Sequence, residues 1–156
     1  MAVTTDFSDF SRLEKAIKRL GKLPQKCVTK ASRKGAKHVL SEAKRLAPYR
    51  LGFLEEGIIL VGERSKKKGK KVYQVVFDRR MNDVFQKKIK DPGKYKGENQ
   101  KAYYPASMEY GFKTKDGGAR AGERFMLNAA ENKAPKMSDT VVRTLIDALD
   151  KEWKKR

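Results

Sequence analysis

The chain has 156 residues, the size of one domain, and this length allows a buried core without stabilising cross-links. Its 38 Lys and Arg residues against 19 Asp and Glu residues give a net charge of +19, which attracts polyanions. The single cysteine, Cys27, excludes an internal disulfide, and no apolar run has the length of a signal peptide or a membrane span. We therefore expect a soluble intracellular protein with a single domain over 1–156, of which residues 1–7 are frayed.

Apolar residues recur at three- and four-residue spacing in the first part of the chain, which predicts two helices. The first helix begins near Ser8 and ends at Gly21, a residue type that commonly follows a helix. The second helix spans about 25–46, and Pro48 sets its end. Its apolar stripe is narrow and rich in small residues, so we expect another element to pack closely against it.

The spacing of apolar residues changes to two after this helix. β-Branched and aromatic residues at 58–61 and 72–77 predict the two strands of a β-hairpin. Like charges at the density found between these strands do not pack, so we predict a flexible tip that faces water or an acidic partner. The lysines of this tip are Lys66, Lys67, Lys68, Lys70 and Lys71.

The second half of the chain gives weaker signals. Residues 79–101 are polar and basic, and we predict that they form one long basic loop. Residues 103–110 fit either a short helix or a strand. We expect a helix to begin near Phe125, Pro135 to interrupt it, and a final helix to place Trp153 on an apolar face. This order of elements predicts an α+β fold in which a small antiparallel sheet with a long hairpin packs against two or three helices.

No set of residues has the arrangement of a catalytic or metal site. His38 is the only histidine, and Cys27 has no histidine partner in the sequence, so we expect both to be packing residues. The adjacent Glu55 and Glu56 do not form a recognisable acid–base pair, and no Cys/His cluster has metal-ligand spacing. We expect neither enzyme activity nor a cofactor.

Basic clusters are the candidates for contact with DNA or with an acidic partner. Tyr95, Tyr103 and Tyr104 lie among lysines, and aromatic residues among cations can stack bases, but we favour a role for these tyrosines in the core or in a subunit interface. No sequence-reading motif is present, so any nucleic-acid binding is expected through phosphates, without sequence preference. The candidate cations are Lys66, Lys67, Lys68, Lys70, Lys71, Arg79, Arg80, Lys87, Lys88 and Lys90.

Two short motifs stand far apart in the chain. The first is Ala47 and Pro48 followed by Gly52 and Leu54, and the second is Glu109, Tyr110 and Gly111 followed by Phe125, Ala129 and Ala130. Their order and spacing resemble a known family of small neck and tail proteins of long-tailed bacteriophages, which is named after gene product ten of a lambda-like phage. Leu51, Gly57 and Phe112 stand where the family usually has Thr, Ser and Thr. The resemblance covers roughly residues 25–155.

The resemblance implies a structural virion protein, assembled in the host cytoplasm, that forms a ring of six subunits at the neck. Such a ring completes the tail and joins it to the head. The implied partners are further copies of the chain, neighbouring head-completion or connector proteins and tail-tube proteins, with non-specific DNA contact in the channel and no membrane. We expect the subunit contacts at Glu109, Tyr110, Gly111, Phe112 and, on the last helix, Trp153. A stand-alone basic nucleic-acid-binding protein is the alternative that the charge leaves open.

Overall fold

A computed structural model describes residues 25–49, 52–65, 67–88, 101–114 and 117–154. For Glu152 and Trp153 it describes the backbone alone. The helix predicted to begin near Ser8 and the frayed residues 1–7 lie outside the described residues. The single domain stays a prediction.

Helices alternate with short strands along the described chain, which confirms the α+β class. The strands form three separate antiparallel pairs, β1–β2, β3–β4 and β5–β6, where one small sheet was expected. The elements in chain order are α1 (Gln25–Leu46), α2 (Phe53–Gly57), β1 (Ile58–Gly62), β2 (Tyr73–Phe77), a 3-10 turn (Arg79–Met81), α3 (Asn82–Phe85), β3 (Gln86–Lys88), β4 (Lys101–Tyr103), α4 (Tyr104–Tyr110), β5 (Gly111–Lys113), β6 (Ala119–Ala121) and α5 (Phe125–Trp153).

Helix α1 has the predicted bounds, and its small residues pack closely along α5. A methyl group on Gly35 would lie 2.6 Å from Val141 Cγ2, so the side chain of any other residue would push the helices apart. Towards the other end of α1, Ala43 packs with Phe125 and Ala129 in the main apolar core. Residues late in α1 therefore meet residues early in α5, and the two helices run antiparallel.

Helix α5 is continuous through Pro135, so the predicted interruption and the separate final helix are wrong. A proline inside a helix removes one backbone hydrogen bond and costs about 3 kcal/mol. Pro135 is exposed, and the turns on both sides of it pack against α1 through Ala129 and Val141. Because this packing acts on both sides of the proline, the helix continues despite the local preference for a break.

Strands β1 and β2 form the predicted hairpin, in a register that pairs Ile58 with Phe77 and Gly62 with Tyr73. Burial decreases along β1 from Ile58, which is fully buried, to Gly62, which is exposed. The base of the hairpin is therefore part of the core, and its tip lies at the surface.

The predicted long loop over 79–101 is wrong at both ends. The side chain of Asp78 accepts a hydrogen bond from the backbone N–H of Arg80 at 3.0 Å, and this bond starts the 3-10 turn that leads into α3. Strand β3 follows directly, and β4 pairs with it when the chain returns. The rest of the predicted loop, residues 89–100, lies outside the described residues.

A cluster of aromatic rings explains why residues 79–88 form regular structure despite their polar composition. Phe85 is fully buried and meets Phe77 and Tyr103 edge to face, with ring centroids 5.7 Å and 6.0 Å away. Phe77 also meets Phe125, the first residue of α5, at 6.2 Å. One well-placed phenylalanine thus anchors α3 and β3 to the core, which average composition over the whole segment does not reveal.

Candidate interaction surfaces

A buried carboxylate joins the end of α4 to the beginning of α5. Glu109 is only 6% exposed, and its oxygens accept hydrogen bonds from the backbone N–H groups of Met126 at 2.9 Å and Leu127 at 3.2 Å. The first N–H groups of a helix lack partners within the helix, and the helix dipole favours a negative charge there. Arg124, the residue before α5, forms no side-chain cap, so Glu109 caps the helix from another element.

Two glycines allow the chain to cross itself beside this carboxylate. Gly111 has φ 85° and ψ 179°, a combination that is essentially restricted to glycine. A methyl group on Gly111 would overlap the carbonyl oxygen of Arg120, and one on Gly122 would overlap the carbonyl oxygen of Glu109. We call Glu109, Gly111 and Gly122 the junction, because together they fix α4, β5 and α5 relative to one another.

The junction presents two aromatic side chains to the surface. Tyr110 is 81% exposed and Phe112 is 46% exposed, and Gly111 lies between them. They line different grooves. The helix-side groove, of about 770 Å³, includes Tyr110, Tyr73, Val75, Met126, Leu127 and Met137. The strand-side groove, of about 780 Å³, includes Phe112, Pro48, Tyr49, Tyr104, Lys113 and Arg120.

The predicted subunit-contact residues therefore occupy different environments. Tyr110 and Phe112 are available at the surface, whereas the carboxylate of Glu109 is engaged inside the subunit and positions its neighbours. Gly111 lies at the chain crossing. The side chain of Trp153 lies outside the described residues. Subunit contact by these residues stays a prediction.

The lysine-rich hairpin tip is exposed, as predicted, but it is tied to α1. The side chain of Gln25 accepts a hydrogen bond from the backbone N–H of Gly69 at 2.8 Å and donates one to the carbonyl oxygen of Lys70 at 3.0 Å. Lys71 lies over the ring of Tyr73, with Nζ 5.4 Å from the ring centroid. Lys66 lies outside the described residues. Sequence reasoning missed Gln25 because its partners are more than forty residues away.

The remaining predicted cations differ in how much of their charge is available. Arg80 pairs with Asp78 at 2.7 Å, and the hydrogen bond from Arg80 lowers the pKa of the Asp78 carboxyl. Arg79, Lys87 and Lys88 are exposed. Lys90 lies outside the described residues. The exposed lysines of β3 are therefore the stronger candidates for contact with an anionic partner.

A second buried carboxylate, which sequence reasoning did not single out, ties α1 to α5. Glu42 is 6% exposed and pairs with Arg45 at 2.7 Å and Lys133 at 3.4 Å. The hydrogen bond from Arg45 lowers the pKa of Glu42 from 4.5 to about 2; burial opposes this shift, and Lys133 adds to it. Glu42 and Arg45 are three residues apart on one helix, so their contact can be predicted from the sequence. The contact with Lys133 depends on tertiary structure.

The residues considered for catalysis lie apart. His38 Nε2 lies 3.1 Å from Thr140 Oγ1 between α1 and α5, and Cys27 is half-buried near the beginning of α1. Glu55 and Glu56 are exposed on α2. Within the described ranges, His, Cys, Asp and Glu side chains form no group able to hold a metal ion. The helices in those ranges include none with the length and apolar character to cross a membrane.

The fold and its surfaces define an α+β protein whose most distinctive features are exposed aromatic grooves beside a rigid junction. Residues 11–104 match the family described as "Bacteriophage HK97-gp10, putative tail-component". The match covers more than half of the chain, so the protein belongs to this family of phage tail components, and a tail component is part of the virion. It includes Ala47, Pro48, Gly52 and Leu54 but ends before the junction. Neither the curated proteins nor the solved structures contain a significant match.

Proposed function

We propose that the protein is a structural subunit of the phage neck that forms a closed ring, completes the tail and joins it to the head. Membership of the tail-component family supports the structural role. The ring of six subunits follows from the resemblance noted in the sequence. In this role the protein acts by binding alone, through contacts with like subunits and with the proteins above and below the ring.

The observation that carries the proposal is Tyr110, a large aromatic side chain that is 81% exposed beside a buried junction. Tyrosine is enriched at protein interfaces, and a side chain held by a rigid backbone loses less entropy on binding. Leu127, which is also exposed, lies in the same helix-side groove. A ring requires a head-to-tail contact between two different surfaces. We assign the helix-side groove to one side of that contact.

The cations suggest how the ring is oriented towards its other partners. In the neck, the ring contacts a tail-tube protein on one side and a connector or head-completion protein on the other. The exposed lysines of the hairpin tip and of β3 then face DNA in the channel or an acidic neighbouring ring. The net charge of +19 supports an anionic partner but does not distinguish these two.

Salt dependence separates this proposal from a stand-alone nucleic-acid-binding protein. Contact with DNA phosphates alone weakens by orders of magnitude between low and moderate salt. Tight, sequence-selective binding that survives high salt would favour the stand-alone protein. Portal, capsid and tail-tube genes beside the gene for this chain would favour the neck protein.

Light scattering on a Tyr110→Ser variant tests the subunit contact. We expect the wild-type protein to form oligomers at high concentration and Tyr110→Ser to give smaller species with an unchanged circular dichroism spectrum. Tyr49→Ser is the matched control, because Tyr49 is 84% exposed but lies in the strand-side groove. We expect it to retain the wild-type oligomer.

Two outcomes would contradict this assignment. Equal masses for the wild type and Tyr110→Ser would place the subunit contact elsewhere. A wild-type protein that stays monomeric at every concentration would overturn self-assembly of the free subunit. The same pair of variants, compared for incorporation into particles, would then show whether the contact forms only on the growing tail.

A further inference from the structure

The strand-side groove combines an apolar floor with unusually exposed rings. Pro48, Ala102 and Met108 line it, and Tyr49 and Phe112 stand at its edge. Exposed aromatic side chains that gather around one concavity are typical of a protein-binding surface, because their apolar area is then covered in the complex. The groove opens on a different surface from the helix-side groove assigned to the subunit contact, with which it shares no lining residue.

Positive charge surrounds this groove. Lys87, Lys113 and Arg120 line it, and Glu123 is the one carboxylate among the described residues of the lining. Within the same described residues, these three cations form no ion pair with a carboxylate. A partner that is complementary to the groove carries acidic groups at its edges and apolar groups at its centre.

The paired strands β3 and β4, which we call the β3–β4 ribbon, extend the positive charge beyond the groove. Lys87 and Ala102 line the groove and lie opposite each other in this ribbon. The next pair along it is Lys88 opposite Lys101, which projects from the other face because side chains alternate along a strand. Like charges directly opposite on paired strands destabilise the pair, and a carboxylate bound at the edge of the ribbon would relieve that repulsion. Among the described residues β3 and β4 pair only with each other, so their outer edges are sites to which an extended peptide can add.

We propose that the strand-side groove and the β3–β4 ribbon bind an extended acidic segment of a partner protein, in which carboxylates alternate with apolar side chains. Carboxylates of the segment would pair with Lys87, Lys113 and Arg120, and its apolar side chains would pack between Tyr49 and Phe112. A protein segment suits the groove better than a nucleic acid because apolar residues line much of it and can pack against apolar side chains. The identification of the partner as another virion protein rests on the proposed neck function.

Fluorescence anisotropy with the purified full chain tests the proposal. The probe is a labelled peptide in which glutamate alternates with leucine and phenylalanine. One control peptide has glutamine for glutamate, and a second keeps every glutamate but has serine for the apolar residues. The second control is essential, since a chain with a net charge of +19 attracts any anion. We expect only the first peptide to bind with saturation at moderate salt.

Variants locate the binding. Arg120→Gln and Tyr49→Ser should each weaken peptide binding by about tenfold, the loss expected for one good contact. Arg143→Gln removes an exposed cation outside the groove and should change the affinity by less than about twofold. Tyr110→Ser should leave it unchanged, so that failure of the groove and failure of the subunit contact are distinguishable.

Three results would overturn the proposal. The first is equal binding of the acidic peptide and its serine control, which would reduce the interaction to net charge. The second is equal loss of affinity in Arg120→Gln and Arg143→Gln, which would place binding outside the groove. The third is displacement of the peptide by oligothymidylate at lower concentration than by unlabelled peptide, with Tyr49→Ser weakening both. That result would assign the groove to a nucleic acid.

Discussion

Glu42 and Glu109 are equally buried, each 6% exposed, yet they connect the same long helix to the rest of the protein in different ways. Glu42 pairs with two charged side chains, one on its own helix and one on α5. Glu109 accepts hydrogen bonds from two backbone N–H groups at the beginning of α5. Glu42 therefore contacts charged side chains that can rearrange, whereas Glu109 contacts backbone atoms that the helix itself holds in place.

This difference determines what each carboxylate can control. Glu42 makes its shorter ion pair with Arg45. The Arg45 side chain is 66% exposed, so water and salt screen that interaction. Backbone N–H groups cannot move away without unwinding the helix. Glu109 therefore fixes the geometry of the junction and the directions of Tyr110 and Phe112, whereas the ion pairs of Glu42 are weakened by salt.

The largest expected effect comes from breaking the chain crossing that brings Glu109 to α5. Gly111→Ala forces alanine into a backbone conformation restricted to glycine and overlaps the carbonyl oxygen of Arg120, so we expect a loss of about 3 kcal/mol or more in unfolding free energy. Gly117→Ala is the control, since Gly117 also has positive φ (79°) but has open space around it. Chemical denaturation should show a loss of only about 1 kcal/mol there. Equal losses would mean that the crossing is not tightly packed.

Removing the cap itself should have the next largest effect. Glu109→Ala deletes two hydrogen bonds to the beginning of α5, and we expect it to lower the unfolding free energy by about 2 kcal/mol. Glu131→Ala, which removes an exposed carboxylate from the same helix, should change it by less than about 0.5 kcal/mol. If the two variants unfold at the same urea concentration, the cap does not stabilise α5.

The pH dependence of stability should reveal what Glu42 contributes. Arg45 and Lys133 hold the pKa of Glu42 at about 2, below its usual value of 4.5, so the unfolded chain binds a proton at this residue first. The stability that Glu42 contributes is present above pH 4.5 and is lost as the pH falls towards 2. Glu42→Gln should show a shallower decrease than the wild type over this interval in urea denaturation at a series of pH values. Parallel curves would show that the ion pairs do not stabilise the fold.

The smallest effect is expected at the hairpin tip, where charges are exposed and no carboxylate is buried. Replacing Lys67, Lys68 and Lys70 by Ser should leave the melting temperature nearly unchanged, because exposed charges contribute little individually. Gln25→Ala should also change it little but should make the tip more sensitive to limited proteolysis, since Gln25 ties it to α1. A large decrease in melting temperature for the triple variant would mean that the tip is packed.

Local sequence patterns predicted an element correctly where its own residues determine its type and bounds. The bounds of α1 follow from its apolar stripe and from Pro48, and the hairpin follows from the change to strand-like spacing. The family resemblance also rested on short local motifs, and the match over residues 11–104 confirms the family.

Local patterns failed where a distant residue decides the outcome. Pro135 favours a break, but packing against α1 on both sides keeps α5 continuous. The segment from Arg79 to Lys88 looks like a loop until Phe85 is found among Phe77 and Tyr103. In both cases tertiary contacts outweigh local preference.

The sequence by itself determined the class of protein, the bounds of α1, the hairpin and the excess of positive charge, because each depends on composition or on neighbours in the chain. Only the tertiary structure decided that Glu109 caps a helix 17 residues away, that Lys133 reaches Glu42, and that Tyr110 and Phe112 open on different grooves. The physical reason is that burial and hydrogen bonding depend on which segments meet in space. A carboxylate that would be solvated in an isolated segment becomes a structural element when a helix N-terminus is brought against it.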